Sequence, residues 1–442
     1  MEAVTLVQVL AARDRRAQRQ QELLARFGRP LICYTMNIAG PVKTSPLIEE
    51  GFRLGLRRLE QQLLRLRVPV LHREITCEIT GCEALFAIDA PAEELKAMTV
   101  DLEEADRLGR LLDLDVLDEE GNKLDRSGER GCLICGAIGR GCARSRAHSV
   151  EQLQAATTKI LTETLNRHRR QQAAELACRA LLFEACTTPK PGLVDRRNNG
   201  SHKDMDLFSF MASAAALTPY FEVCVSIGQE TANQAPDETF RQLRRPGRLA
   251  EGEMFRATDG VNTHKGAIFL MGILCGALGR LNSRQWSDSS AVLAECAAMT
   301  RGLTAQECST DRKNTAGERF FAAHGIRGIR GEVEAGLPTV REHGFPAMKA
   351  ALDAGCSLEE AGCRALTAMM AVAEDTALLH RGGLEGWASV KSQAAQLLNT
   401  GVTTEALEQM DETFIMHNWS PGGSADLLAV CYLLHFLQNQ TV

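Results

Sequence analysis

Residues 143–188 read ARSRAHSVEQLQAATTKILTETLNRHRRQQAAELACRALLFEACTT and contain neither proline nor glycine. Those two residues are the strongest interrupters of helix, so one or two long helices must cross the stretch. The polar run Asn166-Arg167-His168-Arg169-Arg170 is where a break is expected. On either side the texture of the chain differs. Upstream, LICYT (31–35), VPVLHREITCEI (68–79), EALFAI (83–88), AMTVDL (97–102) and LLDLDVL (111–117) read as strands. DEEGN (118–122) reads as a hairpin turn before KLDRS, and residues 47–66 space their leucines, Ile48 and Phe52 as a helix does. This mixture predicts an α/β or α+β domain over residues 1–167. Downstream the strand signal fades. Ala- and Leu-rich stretches at 173–186, 207–218, 264–281, 289–303, 357–380, 387–399, 404–416 and 424–438 predict an all-α domain of about ten helices over 168–442.

The 442 residues are long enough for about two or three domains, and 45% apolar with 24% charged residues is an ordinary soluble composition. No apolar run is read as approaching a membrane span, and the first residues lack a signal-peptide core, so neither membrane nor export is expected. A net charge of −6 disfavours non-specific nucleic-acid binding. Fifteen cysteines are scattered, often inside apolar stretches as at Cys224, Cys275 and Cys431. They read as reduced thiols packed as small hydrophobes, which points to the cytoplasm.

In the first half, Gly109-Arg110-Leu111-Leu112-Asp113-Leu114-Asp115-Val116 sets two carboxylates at i and i+2 of one strand, hence on one face. Such a pair can chelate Mg²⁺, neutralise a diphosphate leaving group and activate an attacking hydroxyl, as nucleotidyltransferases require. The bland account is an exposed strand face ending in an acidic turn. The segment Asn37 to Ser45 turns on Gly40-Pro41 and offers Lys43 just before a helix, a place suited to phosphate or to a plain strand-to-helix turn. Cys132-x2-Cys135-x6-Cys142-x5-His148 has the compact spacing of a zinc knuckle. The same segment also reads as a reduced CxxC, or as a basic phosphate patch of Arg140, Arg144, Arg146 and His148.

Together these segments resemble apo-citrate lyase phosphoribosyl-dephospho-CoA transferase over roughly residues 1–165. The resemblance implies a nucleotidyltransferase-like domain. It would transfer a phosphoribosyl-dephospho-CoA group to a serine of the acyl carrier (gamma) subunit of citrate lyase, with diphosphate leaving. It makes Asp113 and Asp115 metal ligands; Lys43 and Arg110 are our own choice of phosphate contacts beside them. A third carboxylate, usual in nucleotidyltransferases, is not assigned.

The second half carries five glycine- and charge-rich loops at predicted helix ends. They are CTTPKPGLVDRRNNGSHKDMD (186–206), TDGVNTHKG (258–266), GIRGIRGE (325–332), EDTALLHRGG (374–383) and PGGSAD (421–426). Exposed backbone N–H groups and helix N-termini attract anions. Lys190, Lys203, Lys265, Arg327, Arg330 and Arg381 can hold a triphosphate. Glu184, Asp195, Asp204, Asp206, Asp375 and Asp426 can hold metal or act as bases. Taken singly, each has a structural account: Asp206 as a helix N-cap, PGGS as a helix start, the histidines as local hydrogen-bond partners.

As an ordered set, the loops resemble triphosphoribosyl-dephospho-CoA synthase across about 173–436. Ala377 departs from that family's D-T-N-L pattern, which has asparagine there. The resemblance implies an all-α enzyme joining ATP to 3′-dephospho-CoA with loss of adenine. Glu184, Asp204, Asp206, Asp375 and Asp426 would converge, Asp204, Asp206, Asp375 and Asp426 as Mg²⁺ ligands. His202, Asn262, His264 and Ser424 join the cations as substrate contacts. An oxocarbenium-like transition state needs nearby carboxylate, and a carboxylate can take the hydroxyl proton. The alternative is an ADP-ribosyl glycohydrolase-like second half behind a zinc-bearing module that only docks the carrier.

Overall fold

The computed structural model describes residues 2–126, 128–308, 321 and 324–439. Its contacts divide the chain into two units, one ending at Arg167 and the other beginning at His168.

The first unit opens with a helix that no apolar pattern announced, α1 (Leu6–Phe27), started by a reciprocal Thr5–Gln8 capping box and closed by Gly28 at φ 57°. There follow β1 (Leu31–Met36), α2 (Pro46–Arg65), β2 (Val70–Glu78), β3 (Gly81–Ile88), α3 (Ala92–Glu104), β4 (Leu112–Leu117), the short α4 (Gly139–Ser145) and the long α5 (Val150–Cys186). The sheet runs β2-β3-β1-β4 with every pair antiparallel, so the unit is α+β. Alternation gives it two faces. Ile32, Tyr34, Phe86, Leu112, Leu114 and Val116 pack under Phe52, Leu56 and Leu59 of α2 and Ile160 and Leu161 of α5. Leu31, Cys33, Leu85, Ala87 and Leu117 meet Leu23 of α1 on the other face. There α1 also lays Arg16 and Arg19 on Glu83 and Glu74, at 2.6 and 2.7 Å.

Several expectations are corrected. AMTVDL (97–102) is not a strand but the second half of α3. Its buried Ala92, Leu95, Met98 and Thr99 repeat at helical spacing, which a six-residue window is too short to reveal. KLDRS forms no second hairpin strand among its described residues. Pairing after the 118–122 turn is limited to Leu117 with Lys123 and one bond from Leu124 N to Val116 O, 2.9 Å, and Ser127 lies outside the described residues. Cys77 and Cys82, directly opposite in the β2–β3 hairpin, are joined in a disulfide, so not every cysteine is a reduced thiol. The helix α5 runs 37 residues, straight through the polar run at 166–170.

The second unit is helical. The chain continues through α6 (Leu207–Thr231), α7 (Pro236–Ala257), α8 (Lys265–Arg280), α9 (Ser289–Met299), α10 (Leu303–Cys308), α11 (Gly328–Glu334), α12 (Phe345–Asp353), α13 (Leu358–Met370), α14 (Thr376–Thr400), α15 (Thr404–His417) and α16 (Gly422–Gln438). Of these, α7, α11 and α12 were not among the predicted stretches, and α10 begins at the last residue of one of them. The stretch 357–380 is two elements, because α13 ends at Met370 and Asp375 caps a new helix, itself kinked at Gly383 (φ 62°). Helices α8 and α16 are buried almost all round and form the centre of the core. By length and composition α6 could cross a membrane, contrary to expectation. Its Leu217, Phe221, Cys224 and Val225 are nonetheless packed in this core, and Pro219 lies within the helix.

Candidate active sites

On β4 of the first unit, Asp113 and Asp115 point to the α1 side of the sheet, opposite Thr35 and Cys33 of β1. Both are half-buried. Thr35 Oγ1 donates to Asp113 Oδ2 at 3.5 Å, and Lys123 Nζ donates to Asp115 Oδ2 at 2.6 Å. Burial works against the Lys123 charge, but Asp115 and Asp113 outweigh it and hold its pKa above the usual value. Lys123 was missed, yet the hairpin turn carried the signal. A residue paired with Leu117 shares the face of Leu117 and Asp115. Glu83 stands in the same cross-strand row as Asp113, through Thr35. Two strand spacings separate them by roughly 10 Å, and Glu83 is paired with Arg16, so it completes no metal site with Asp113.

The outer edge of β4 is closed by side chains, as an exposed edge strand requires. Buried Glu103 accepts from Leu114 N at 2.8 Å, and Arg130 Nη2 donates to Leu112 O at 2.6 Å and Gly109 O at 3.1 Å. Burial raises the Glu103 pKa against the pull of its backbone donor and of Arg130 and Arg126. Arg110 donates to Gly131 O. Lys43 folds back onto Ile38 O at 2.5 Å, its pKa lowered by burial and by Arg13, while Ser45 caps α2. Cys132, Cys135, Cys142 and His148 also come together. Arg144 and Arg146 are exposed, and the Arg140 side chain lies outside the described residues.

In the second unit three helix N-termini and the end of α5 gather one group of residues. Glu184, in the last turn of α5, and Lys190, in the loop behind it, form a buried pair at 2.5 Å. Lys190 Nζ also donates to Glu184 O at 2.7 Å. An ammonium only 1% exposed must be paired, and here its partner is protein. The loop is shaped by two further acids. Asp195 accepts from Lys190 N, Arg197 N and Asn198 N. Asp411 of α15, unforeseen, accepts from Gly192 N at 2.8 Å and Asn198 Nδ2 at 2.7 Å. Gly192, at φ 71°, allows the turn.

Asp375 Oδ1 accepts from Ala377 N and Leu378 N at the start of α14, and its Oδ2 from Ser424 N (2.8 Å) and Ser424 Oγ (3.1 Å) at the start of α16. Asp426, two residues further along α16, lies against Gly266 at the start of α8, where a side chain would overlap its carboxylate, and the Ala267 amide favours its charged form. Burial, then the nearby Glu184 and Asp375 charges, push the Asp426 pKa well up. Burial likewise raises Glu184 and Asp375.

His264 precedes α8, fully buried, with Nδ1 2.8 Å from Ser213 Oγ and Nε2 without a partner among the described residues. Burial and Lys190 lower its pKa to about 3. Between there and the ordinary 6.5 the unfolded chain binds a proton that the folded one refuses, so His264 costs stability as pH falls through that window. The raised carboxylates have the opposite slope, so a variant must isolate the effect. In urea unfolding between pH 6.5 and 4.5, His264→Gln should lose stability less steeply than wild type, by up to about 1.4 kcal/mol per pH unit. Equal slopes would refute the buried neutral imidazole.

The remaining candidates lie around this group or apart from it. His202 Nε2 stands 2.9 Å from Ser420 Oγ and Nδ1 3.1 Å from Arg381 Nη2. A guanidinium can only donate, so Nδ1 accepts and the ring is neutral; burial and Arg381 hold its pKa down at about 4. Arg381 also donates to Ser201 O and Asn418 Oδ1. Asp204 acts on His202, whereas Asp206 spends its carboxylate as the α6 N-cap on Ser209. Their contacts among the described residues do not reach the Glu184 group. Lys203 is exposed, Lys265 pairs with Glu251 at 3.0 Å, and Asn262 accepts from Lys265 N. Arg327 is exposed and Arg330 half-buried at the start of α11, which Glu374 ties to the Asp375 loop by accepting from Arg327 N at 2.8 Å.

Two family models match the chain in succession: apo-citrate lyase phosphoribosyl-dephospho-CoA transferase over residues 4–164, and ATP:dephospho-CoA triphosphoribosyl transferase over 170–442. The protein CitXG of Haemophilus influenzae is 36% identical over 99% of this chain and 97% of its own length. The chain belongs to the CitXG family. Protein CitXG of Leuconostoc mesenteroides subsp. cremoris is 31% identical over 98% of this chain and 97% of its own. The 2-(5''-triphosphoribosyl)-3'-dephosphocoenzyme-A synthase of Pectobacterium atrosepticum is 40% identical over 64% of this chain and 94% of its own. Both halves are therefore transferases, and a glycohydrolase second half is not favoured.

Proposed function

We propose that the chain both makes and attaches the prosthetic group of citrate lyase, with one activity in each unit. In this reading the unit from His168 joins ATP to 3′-dephospho-CoA, giving 2′-(5″-triphosphoribosyl)-3′-dephospho-CoA and adenine. The unit up to Arg167 is a nucleotidyltransferase-like domain that transfers the phosphoribosyl-dephospho-CoA group to a serine of the acyl carrier subunit and releases diphosphate. The observation that carries the reading is the succession of the two family matches along one chain. Joining both in one chain raises the local concentration of the shared intermediate. The cytoplasm, where citrate lyase subunits and nucleotides meet, is the compartment of this reading.

The donor sets suit the assigned chemistry. In the first unit the Lys123 ammonium already sits 2.6 Å from Asp115, a protein cation in the place where Asp113 and Asp115 would hold Mg²⁺. Mg²⁺ bound there would neutralise charge on the departing diphosphate. Asp113 and Asp115 would hold that ion, and Arg110 and Lys43 supply positive charge for the phosphate.

In the second unit the helix N-termini of α8, α14 and α16 favour anions, which keeps three carboxylates tolerable in one place. Glu184 and Asp426 stabilise the oxocarbenium-like ribose as adenine leaves, and one of them takes the 2′-hydroxyl proton. Arg381, Lys203, Lys265, Arg327 and Arg330 are the cations for the uncleaved triphosphate.

The test is to incubate the full chain with ATP, 3′-dephospho-CoA, Mg²⁺ and apo-carrier. Intact mass should show the carrier gaining one phosphoribosyl-dephospho-CoA group, and chromatography should show adenine released only when dephospho-CoA is present. Release of ADP-ribose instead, or an unmodified carrier, would defeat the reading.

A further inference from the structure

One cluster in the first unit is left unused by the two transfer reactions. The ligand atoms of Cys132, Cys135, Cys142 and His148 all lie within 4.8 Å of one another. Cys135 Sγ stands 3.5 Å from Cys142 Sγ and 3.3 Å from His148 Nε2. Three sulfurs at ~2.3 Å and one nitrogen at ~2.0 Å around a tetrahedral zinc stand roughly 3.5–3.8 Å apart along the edges. These two separations lie within about 0.3 Å of those edges and are far longer than a disulfide bond. The backbone supports the arrangement. Cys132 N donates to Ala137 O at 2.5 Å and Gly136 N to Cys132 O at 3.1 Å, closing a tight turn around the first two cysteines. Cys142 lies on α4, whose end at Arg146 (φ 49°) turns the chain so that His148 faces the thiols.

The turn is also tied to the strand of the first candidate site. Arg130, two residues before Cys132, donates to Gly109 O and Leu112 O; Gly139 N donates to Arg130 O at 2.9 Å; Arg110 donates to Gly131 O. Whatever holds the cysteine turn together therefore holds Arg130 against the edge of the strand that carries Asp113 and Asp115, and anchors Arg110, just ahead of that strand, to the turn.

We propose that Cys132, Cys135, Cys142 and His148 bind one structural Zn²⁺, and that this zinc positions Arg110 and Arg130 beside Asp113 and Asp115. Three thiols lose their protons on binding, the imidazole binds neutral, and no electron is transferred. Four protein ligands complete the tetrahedron, so the zinc has no open position for substrate. Its part in carrier labelling rests on the proposed transferase activity of this unit; its presence does not.

Full-length protein purified under reducing conditions should contain one zinc per chain by mass spectrometry of the metal, and the Cys135→Ser/Cys142→Ser variant should lose it. Cobalt exchanged into the wild type should give the thiolate charge-transfer and tetrahedral ligand-field absorption of a Cys3His site. Supplied with ready-made triphosphoribosyl-dephospho-CoA, the variant should label apo-carrier roughly tenfold or more slowly than wild type. Its adenine release, from the other unit, should stay unchanged, and an unaltered circular-dichroism spectrum should report that the first unit is still folded.

A zinc-supplemented wild type that binds no stoichiometric metal, or a double variant that keeps it, overturns the site. Labelling at the wild-type rate by zinc-free variant overturns the positioning role. A wild type that holds zinc but does not label carrier supports the metal site and refutes the transferase reading.

Discussion

Replacing Asp113 and Asp115 together by alanine should lower carrier labelling by on the order of 10³-fold, about 4 kcal/mol of lost transition-state stabilisation. Both carboxylates stand on one face of an edge strand, and that strand is already fixed. Thr35 approaches Asp113, Lys123 holds Asp115, and Glu103 with Arg130 closes the outer edge. The fold should survive, because the two aspartates are half-buried on the side of the sheet away from the Phe52–Leu59 core.

Their removal leaves Lys123 without its acid, but that ammonium is 56% exposed and water can take over. Supplying ready-made triphosphoribosyl-dephospho-CoA separates this step from the other unit, and adenine release by the same variant serves as the internal control. Labelling within about tenfold of wild type would remove Asp113 and Asp115 from the chemistry. It would favour a first unit that only docks the carrier.

How much of this could be read from the sequence depends on the range of the interactions involved. The shared face of Asp113 and Asp115 follows from strand alternation and needs no tertiary information. Lys123 was within reach by the same logic, one turn further on. Helix α3 was misread because six residues of Ala-Met-Thr-Val-Asp-Leu alternate as a strand would, and the helical repeat emerges only when Ala92 and Leu95 are included.

In the second half the loops stood out by composition, but composition does not say what a charge is paired with. Lys190 is a conspicuous loop cation in the sequence and a buried partner of Glu184 in the fold. Asp206 was conspicuous too and proves to cap a helix. Asp411 organises the 186–206 loop from more than two hundred residues away, in an unremarked helical stretch. Those outcomes are decided by packing between distant segments, which no local pattern encodes.

The same pairing separates the carboxylates of the second unit by role. Asp375 has both oxygens engaged, by two amides of α14 and by the amide and hydroxyl of Ser424. A carboxylate has about four acceptor sites, so Asp375 is saturated by the two helix ends it joins. Replacing it should cost about 1–3 kcal/mol of stability. Asp426, beside the Ala267 amide, keeps acceptor capacity for a ribose hydroxyl or a metal, and it sits where burial, Glu184 and Asp375 raise its proton affinity. A carboxylate of raised proton affinity is suited to take a proton from an attacking hydroxyl.

Asp426→Asn keeps the shape packed against Gly266, so melting temperature and carrier labelling from supplied intermediate should hold. Adenine release should fall by about 10²–10⁴-fold. In the wild type the same step should speed up as pH rises above the ordinary carboxylate range, because Asp426 must be deprotonated to accept, and the asparagine variant should lose that rise. Adenine release by Asp426→Asn within about fivefold of wild type, with the pH profile intact, would move the base to Glu184 and leave Asp426 a buried acid held in place by the α8 N-terminus.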